Sequence, residues 1–145
     1  MPPGVPLTDD PDLHLLVDGA RMDAVTRTDG VHVFAIQDAP AMRIVSHAAV
    51  PQELGLARDP RGLGVAVQRI VVRQGTRFRV VQTDDPRLTD GFHASEPDQP
   101  LRWTNGDAAL PLETFAGFIG AFEVVVQVGA TARYIDRVSA ACRAA

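Results

Sequence analysis

At 145 residues, 46 % apolar and 22 % charged, the chain can bury a core as a single domain without disulfides or a structural metal. Its formal charge is −4, from 18 acidic against 14 basic residues, and every basic residue is an arginine with no basic run among them. That distribution lacks the clustered cations a nucleic-acid partner needs, and no stretch approaches the apolar length of a membrane span.

Residues 1–12 combine prolines with Asp9 and Asp10, and they predict an extended or disordered lead-in to a domain over 13–135. The start, Met1-Pro2-Pro3-Gly4-Val5-Pro6, has neither the basic segment nor the apolar run of a secretion signal; compartment stays open. Leu13 to Val17 reads as a strand, Asp18-Gly19 as a turn, and Ala20 to Val25 as a short return strand. Asp29-Gly30 is a second turn before the strand Val31 to Ile36.

Ala41 to Ser46 predicts a further strand, followed by a long loop from Ala48 to Gly62 in which prolines and Gly55 allow one helical turn at most. Gly64 to Arg73 is the longest strand. Val65 and Val67 share one parity and Ile70 and Val72 the other, so either both faces are buried or a β-bulge near Gln68-Arg69 resets the phase. The bulge is favoured, since double burial would also bury Gln68 and Arg69. Thr76 to Gln82 alternates Phe78 and Val80 with Arg77 and Arg79, as a half-exposed strand does.

A polar stretch from Thr83 to Pro100 leads to Leu101-Arg102-Trp103-Thr104-Asn105-Gly106-Asp107-Ala108-Ala109-Leu110. Asn105-Gly106 is a strong signal for a two-residue hairpin turn, which would set Trp103 opposite Ala108 and turn Arg102 to the other face. Pro111 to Gly120 predicts a helical turn plugging one end of the core, and Phe122 to Val128 and Thr131 to Ile135 predict two closing strands. The tail, 136–145, holds the lone Cys142, which excludes an internal disulfide and reads as a spectator thiol.

Eight to ten short strands, Gly-rich turns and no strand-helix-strand repeat define an all-β chain: an antiparallel β-sandwich, jelly-roll-like in one variant, with long polar loops. A small closed barrel is the competing layout.

For chemistry, the loop carrying Asp84, Asp85, Asp90, His93 and Glu96 offers carboxylate oxygens, but its spacing is not that of an EF-hand. It reads first as a solvated linker. His14, His32, His47 and His93 have no zinc spacing, though convergence of His32 and His47 would make a cupin-like metal centre. No serine lies in a nucleophile elbow, and Gly62-Leu63-Gly64 lacks the rest of a phosphate loop. No cofactor is implied. Trp103 reads first as core; exposed beside Arg102 and Asp107, it would suit a sugar, the ring stacking while Arg102 donates and Asp107 accepts hydrogen bonds.

The segments Arg61-Gly62-Leu63-Gly64-Val65-Ala66-Val67, Asp90-Gly91-Phe92-His93, Arg102 to Pro111 and Thr131-Ala132-Arg133-Tyr134 resemble a β-rich accessory region of bacterial multidomain proteins. Some of those proteins carry Hint (hedgehog/intein-like) domains and others have surface-carbohydrate functions. The resemblance implies an appended or stand-alone β module. It does not extend to the self-processing core, which needs an N-terminal Cys or Ser where this chain has Met1-Pro2.

The resulting expectation is a non-enzymatic module binding a carbohydrate or a protein surface, with Trp103, Arg102, Asp107, Asp90 and His93 as ligand-binding residues. The rival readings are a homo-oligomeric assembly module joined through strand edges, and a polysaccharide hydrolase or cupin-like metal enzyme.

Overall fold

The computed structural model describes residues 6–37, 41–55, 59–96 and 98–135. The tail and Cys142 lie outside them. Twelve strands and one helical turn follow in order: β1 Leu7–Thr8, β2 His14–Val17, β3 Ala20–Met22, β4 Thr26–Thr28, β5 Val31–Gln37, β6 Met42–Val45, β7 Val65–Gln74, β8 Arg77–Val81, β9 Arg102–Trp103, β10 Asp107–Ala109, α1 Leu112–Phe115, β11 Ala121–Thr131 and β12 Tyr134–Ile135. All pairings between these strands are antiparallel. No helix among the described residues is long and apolar enough to cross a membrane.

β1 and β12 form a separate two-stranded sheet, while the two main sheets run β10-β6-β2-β3 and β4-β5-β11-β7-β8, with β9 also pairing to β7. The apolar positions of both point into a shared core: Leu15, Met42 and Ile44 from the first sheet, Phe34, Ile36, Val67, Ile70, Val72, Phe122, Val124 and Val126 from the second. This is the sandwich-like arrangement expected of alternating strands, since each sheet covers the other's dry face. Phe115 and Phe118, in and after α1, are buried at one end of that core.

The parity change along β7 is resolved by a bulge. Arg69 pairs with Gln127 and Val67 with Val128, so Gln68 is the extra residue, and a second shift at Gly129 follows on β11. Val65, Val67, Ile70 and Val72 are therefore all buried while Gln68 and Arg69 stay exposed.

Two features differ from the sequence reading. Leu7 pairs with Ile135 and Thr8 with Tyr134, so the extended lead-in is joined to the end of the domain at residues 7–8. The tryptophan segment is not a hairpin: Trp103 pairs with Ala66 in the larger sheet, whereas Asp107 to Ala109 pair with Val45 to Arg43 in the smaller. Asn105-Gly106 carries the chain from one sheet to the other. Thr104 Oγ1 receives hydrogen bonds from the backbone N–H of Val65 and of Gly106, and the carbonyl of Gly106 accepts from Ser46. The crossing is thereby pinned to both sheets.

Candidate functional site

The five residues singled out in the sequence occupy neighbouring elements but do not form one surface. Arg102 is 8 % exposed, and its guanidinium donates to the carbonyls of His93 (2.8 Å), Thr83 (3.1 Å), Asp85 (3.1 Å) and Leu88 (2.7 Å). A planar fork of donors is suited to gathering several carbonyls at once. Arg102 thus organises the polar loop from inside. Trp103, the next residue on an extended strand, turns to the opposite face and is half-buried.

Asp90 and Asp107 meet on Arg43 of β6: Nε donates to Asp107 at 2.6 Å and Nη1 to Asp90 at 3.2 Å. These hydrogen bonds raise the Arg43 pKa above its ordinary value. The two carboxylates therefore brace the loop against the smaller sheet, and do not flank an open groove. His93 bonds through Nε2 to the Gly62 carbonyl at 2.6 Å, while its own backbone N–H donates to Trp103 O.

That last contact leads to a site the sequence reading passed over. Gly62 lines a cavity of about 460 Å³ together with Ser46, His47, Ala48, Ala49, Val50, Glu53, Leu54, Tyr134 and Ile135. The loop after β6 supplies most of its wall. An isolated bridge between Ala49 and Leu63 holds that loop, and the Asp59–Arg61–Glu96 ion pairs fix its return. The Arg61 guanidinium, aided by its backbone N–H, lowers the Asp59 carboxyl from 3.8 to about 2.

Tyr134 forms the floor. Its hydroxyl donates to the Gly64 carbonyl and accepts from the Ala132 N–H, and burial raises its pKa. The ring of His47 sits 6.0 Å from that of Tyr134, tilted by 46°. Neither the His47 imidazole nor the Glu53 carboxylate makes a side-chain hydrogen bond among the described residues. The His47 imidazole, close enough to Asp12 to act on its charge, and the exposed Glu53 carboxylate thus stand beside Ala48, Ala49, Val50 and Leu54, on a wall whose Tyr134 is fixed.

A second cavity, about 360 Å³, is lined by Asp9, Asp10, Arg27, His32 and the end of β11. His32 is 4 % exposed, and its Nδ1 has no hydrogen-bond partner. Burial first, then the nearby Arg27 charge, lowers its pKa, so the ring is neutral. His32 and His47 therefore line separate cavities and do not converge, and no group of three or more His, Cys, Asp or Glu among the described residues is placed to hold a metal.

The only signal for the larger cavity in the sequence was the long loop from Ala48 to Gly62, which bears Glu53 and directly follows His47, a common origin of binding residues but not a motif. Comparison with protein-family models, curated proteins and solved structures finds no match to this chain.

Proposed function

We propose that this chain is a non-enzymatic recognition module, appended to or acting beside larger bacterial proteins, that holds a carbohydrate in the cavity between the 46–54 loop and Tyr134. The observation carrying this reading is the cavity's mixed wall: about 460 Å³, with an apolar side from Ala48, Val50, Leu54 and Ile135 and polar side chains on His47 and Glu53 that make no hydrogen bond among the described residues. The volume lies within the range of small-ligand sites, which combine apolar walls with a few placed polar groups. A sugar ring needs this division, C–H faces against the aliphatic wall and hydroxyls to His47, Glu53 and Ser46. The accessory-region resemblance points the same way.

Glycan-array screening followed by titration calorimetry tests the reading, using Glu53→Gln and His47→Ala. Each substitution is expected to weaken binding about tenfold through loss of a hydrogen bond, with the fold unchanged. Trp103 emission should stay constant on ligand addition, because Trp103 lies outside the cavity lining. A shift in that emission, with binding indifferent to both variants, would return the site to the tryptophan strand. No glycan binding at all would end the proposal.

A further inference from the structure

The outer face of the larger sheet and its β8 edge carry an arrangement independent of either cavity. Val80 pairs with Val71 and Val71 with Val125, giving a lateral row of three valines on the outer side that ends at the buried Val33. Phe78 stands beside it, 70 % exposed, and Val80 is 40 % exposed. Exposed apolar groups placed side by side in this way mark contact surfaces. β8 itself is the sheet's terminal strand.

The charge around that edge is one-sided. Residues 62–83 contain Arg69, Arg73, Arg77 and Arg79 and not one acid, in a chain whose net charge is −4. Arg73 pairs with Glu123, but Arg69, Arg77 and Arg79 make no ion pair among the described residues. Arg77 and Arg79 point to the inner side of β8, over the Phe118 ring at 4.7 and 5.0 Å, and donate to carbonyls of residues 113–117. From Arg77 to Val80 the strand therefore alternates a guanidinium inward with an aromatic or aliphatic group outward.

We propose that β8 receives an extended segment of another protein in which aliphatic and acidic residues alternate, added as a further strand. Its aliphatic residues would continue the row beside Phe78 and Val80, and its carboxylates would meet Arg77 and Arg79, the period of two matching on both faces. A second copy of this chain is the poorer occupant. Pairing β8 with β8 across a two-fold axis gathers Arg77 and Arg79 of both copies on one face, where like charges oppose each other.

The test uses the full chain, isotopically labelled, and short blocked peptides: alternating valine and glutamate, alternating valine and lysine, and the first composition rearranged as a valine block followed by a glutamate block. The alternating acidic peptide is expected to shift the backbone amides of 77–81 and to bind at least about tenfold more tightly than either control, the sum of two opposite-charge cross-strand pairs. Arg77→Glu, which leaves one charge of each sign on the inward side, should abolish the preference for the acidic over the lysine peptide, and Phe78→Ser should weaken both alternating peptides, a result that does not depend on the Arg77 contacts with Phe118. Equal affinity for all three peptides, shifts centred away from 77–81, or no binding at about 1 mM peptide overturns the proposal. So does concentration-dependent dimerisation that the Phe78→Ser variant abolishes, which would make the second copy the occupant.

Discussion

Asp18-Gly19 and Asp29-Gly30 behave as their sequence suggests, and Asn105-Gly106 does not. In each Asp-Gly pair both φ angles are positive, near +50° and +79°, and the flanking strands pair directly, Val17 with Ala20 and Thr28 with Val31. These are two-residue hairpin turns of the kind whose twist suits adjacent strands. At Asn105-Gly106 only the glycine has positive φ, +102°, and the strands on either side belong to different sheets. The dipeptide permits a turn; the partners available to Trp103 and Asp107 decide what the turn joins. Ala66 and Val45 are those partners, both distant in sequence.

The largest effect that would break this contrast comes from removing the anchor of the polar loop that leads into the crossing. Arg102→Met keeps the side-chain bulk and leaves the carbonyls of Thr83, Asp85, Leu88 and His93 without their shared donor, and it should lower stability by at least about 3 kcal/mol in denaturant titration. A loss below about 1 kcal/mol would mean that the loop closes without Arg102.

Next come the glycines. A Cβ on Gly106 would lie 2.8 Å from Ala48 Cβ, and one on Gly30 would lie 2.6 Å from the Val128 carbonyl oxygen, whereas Gly19 faces open space. Gly106→Ala and Gly30→Ala should each cost about 2–3 kcal/mol, combining strained φ with contact, against about 1 kcal/mol for Gly19→Ala. Thermal melts of the three variants would rank them; equal losses would reduce the contrast to backbone strain alone.

The smallest effect separates the two Asp-Gly turns from each other. His32 lies two residues beyond Gly30, buried and with its pKa lowered from 6.5. The unfolded chain therefore binds the proton first, and stability should fall as pH drops below 6.5 and continue falling to the lowered native value. His32→Leu should flatten that region of the stability profile. An unchanged slope would show that the ring titrates alike in both states.

Much of the fold was legible because it rests on local alternation. The parity switch between Val67 and Ile70 announced the bulge, and the Asp-Gly pairs announced their turns, though not the short strand Thr26–Thr28 before the second. The tryptophan segment was illegible for the same reason that its turn signal misled: strand partnership is a choice among distant segments, and β9 is only two residues long. Arg102 shows the limit for site residues. A guanidinium beside a tryptophan has the same sequence whether it awaits a ligand or gathers four carbonyls, and only the folded course of 83–93 distinguishes the two. His47 and Glu53 went unremarked as a pair because the cavity that gives them meaning also needs Tyr134, 81 residues after Glu53.

The pairing of Leu7 with Ile135 sets how the molecule would respond to tension. Force applied through residues 7 and 135 loads β1 and β12 as a zipper, whose bonds break in succession under modest load, whereas the sheared ladders of the sandwich would hold longer. Tyr134 belongs to that zipper and to the cavity floor. Tension between residues 7 and 135 would thus open the cavity floor before the body of the domain yields.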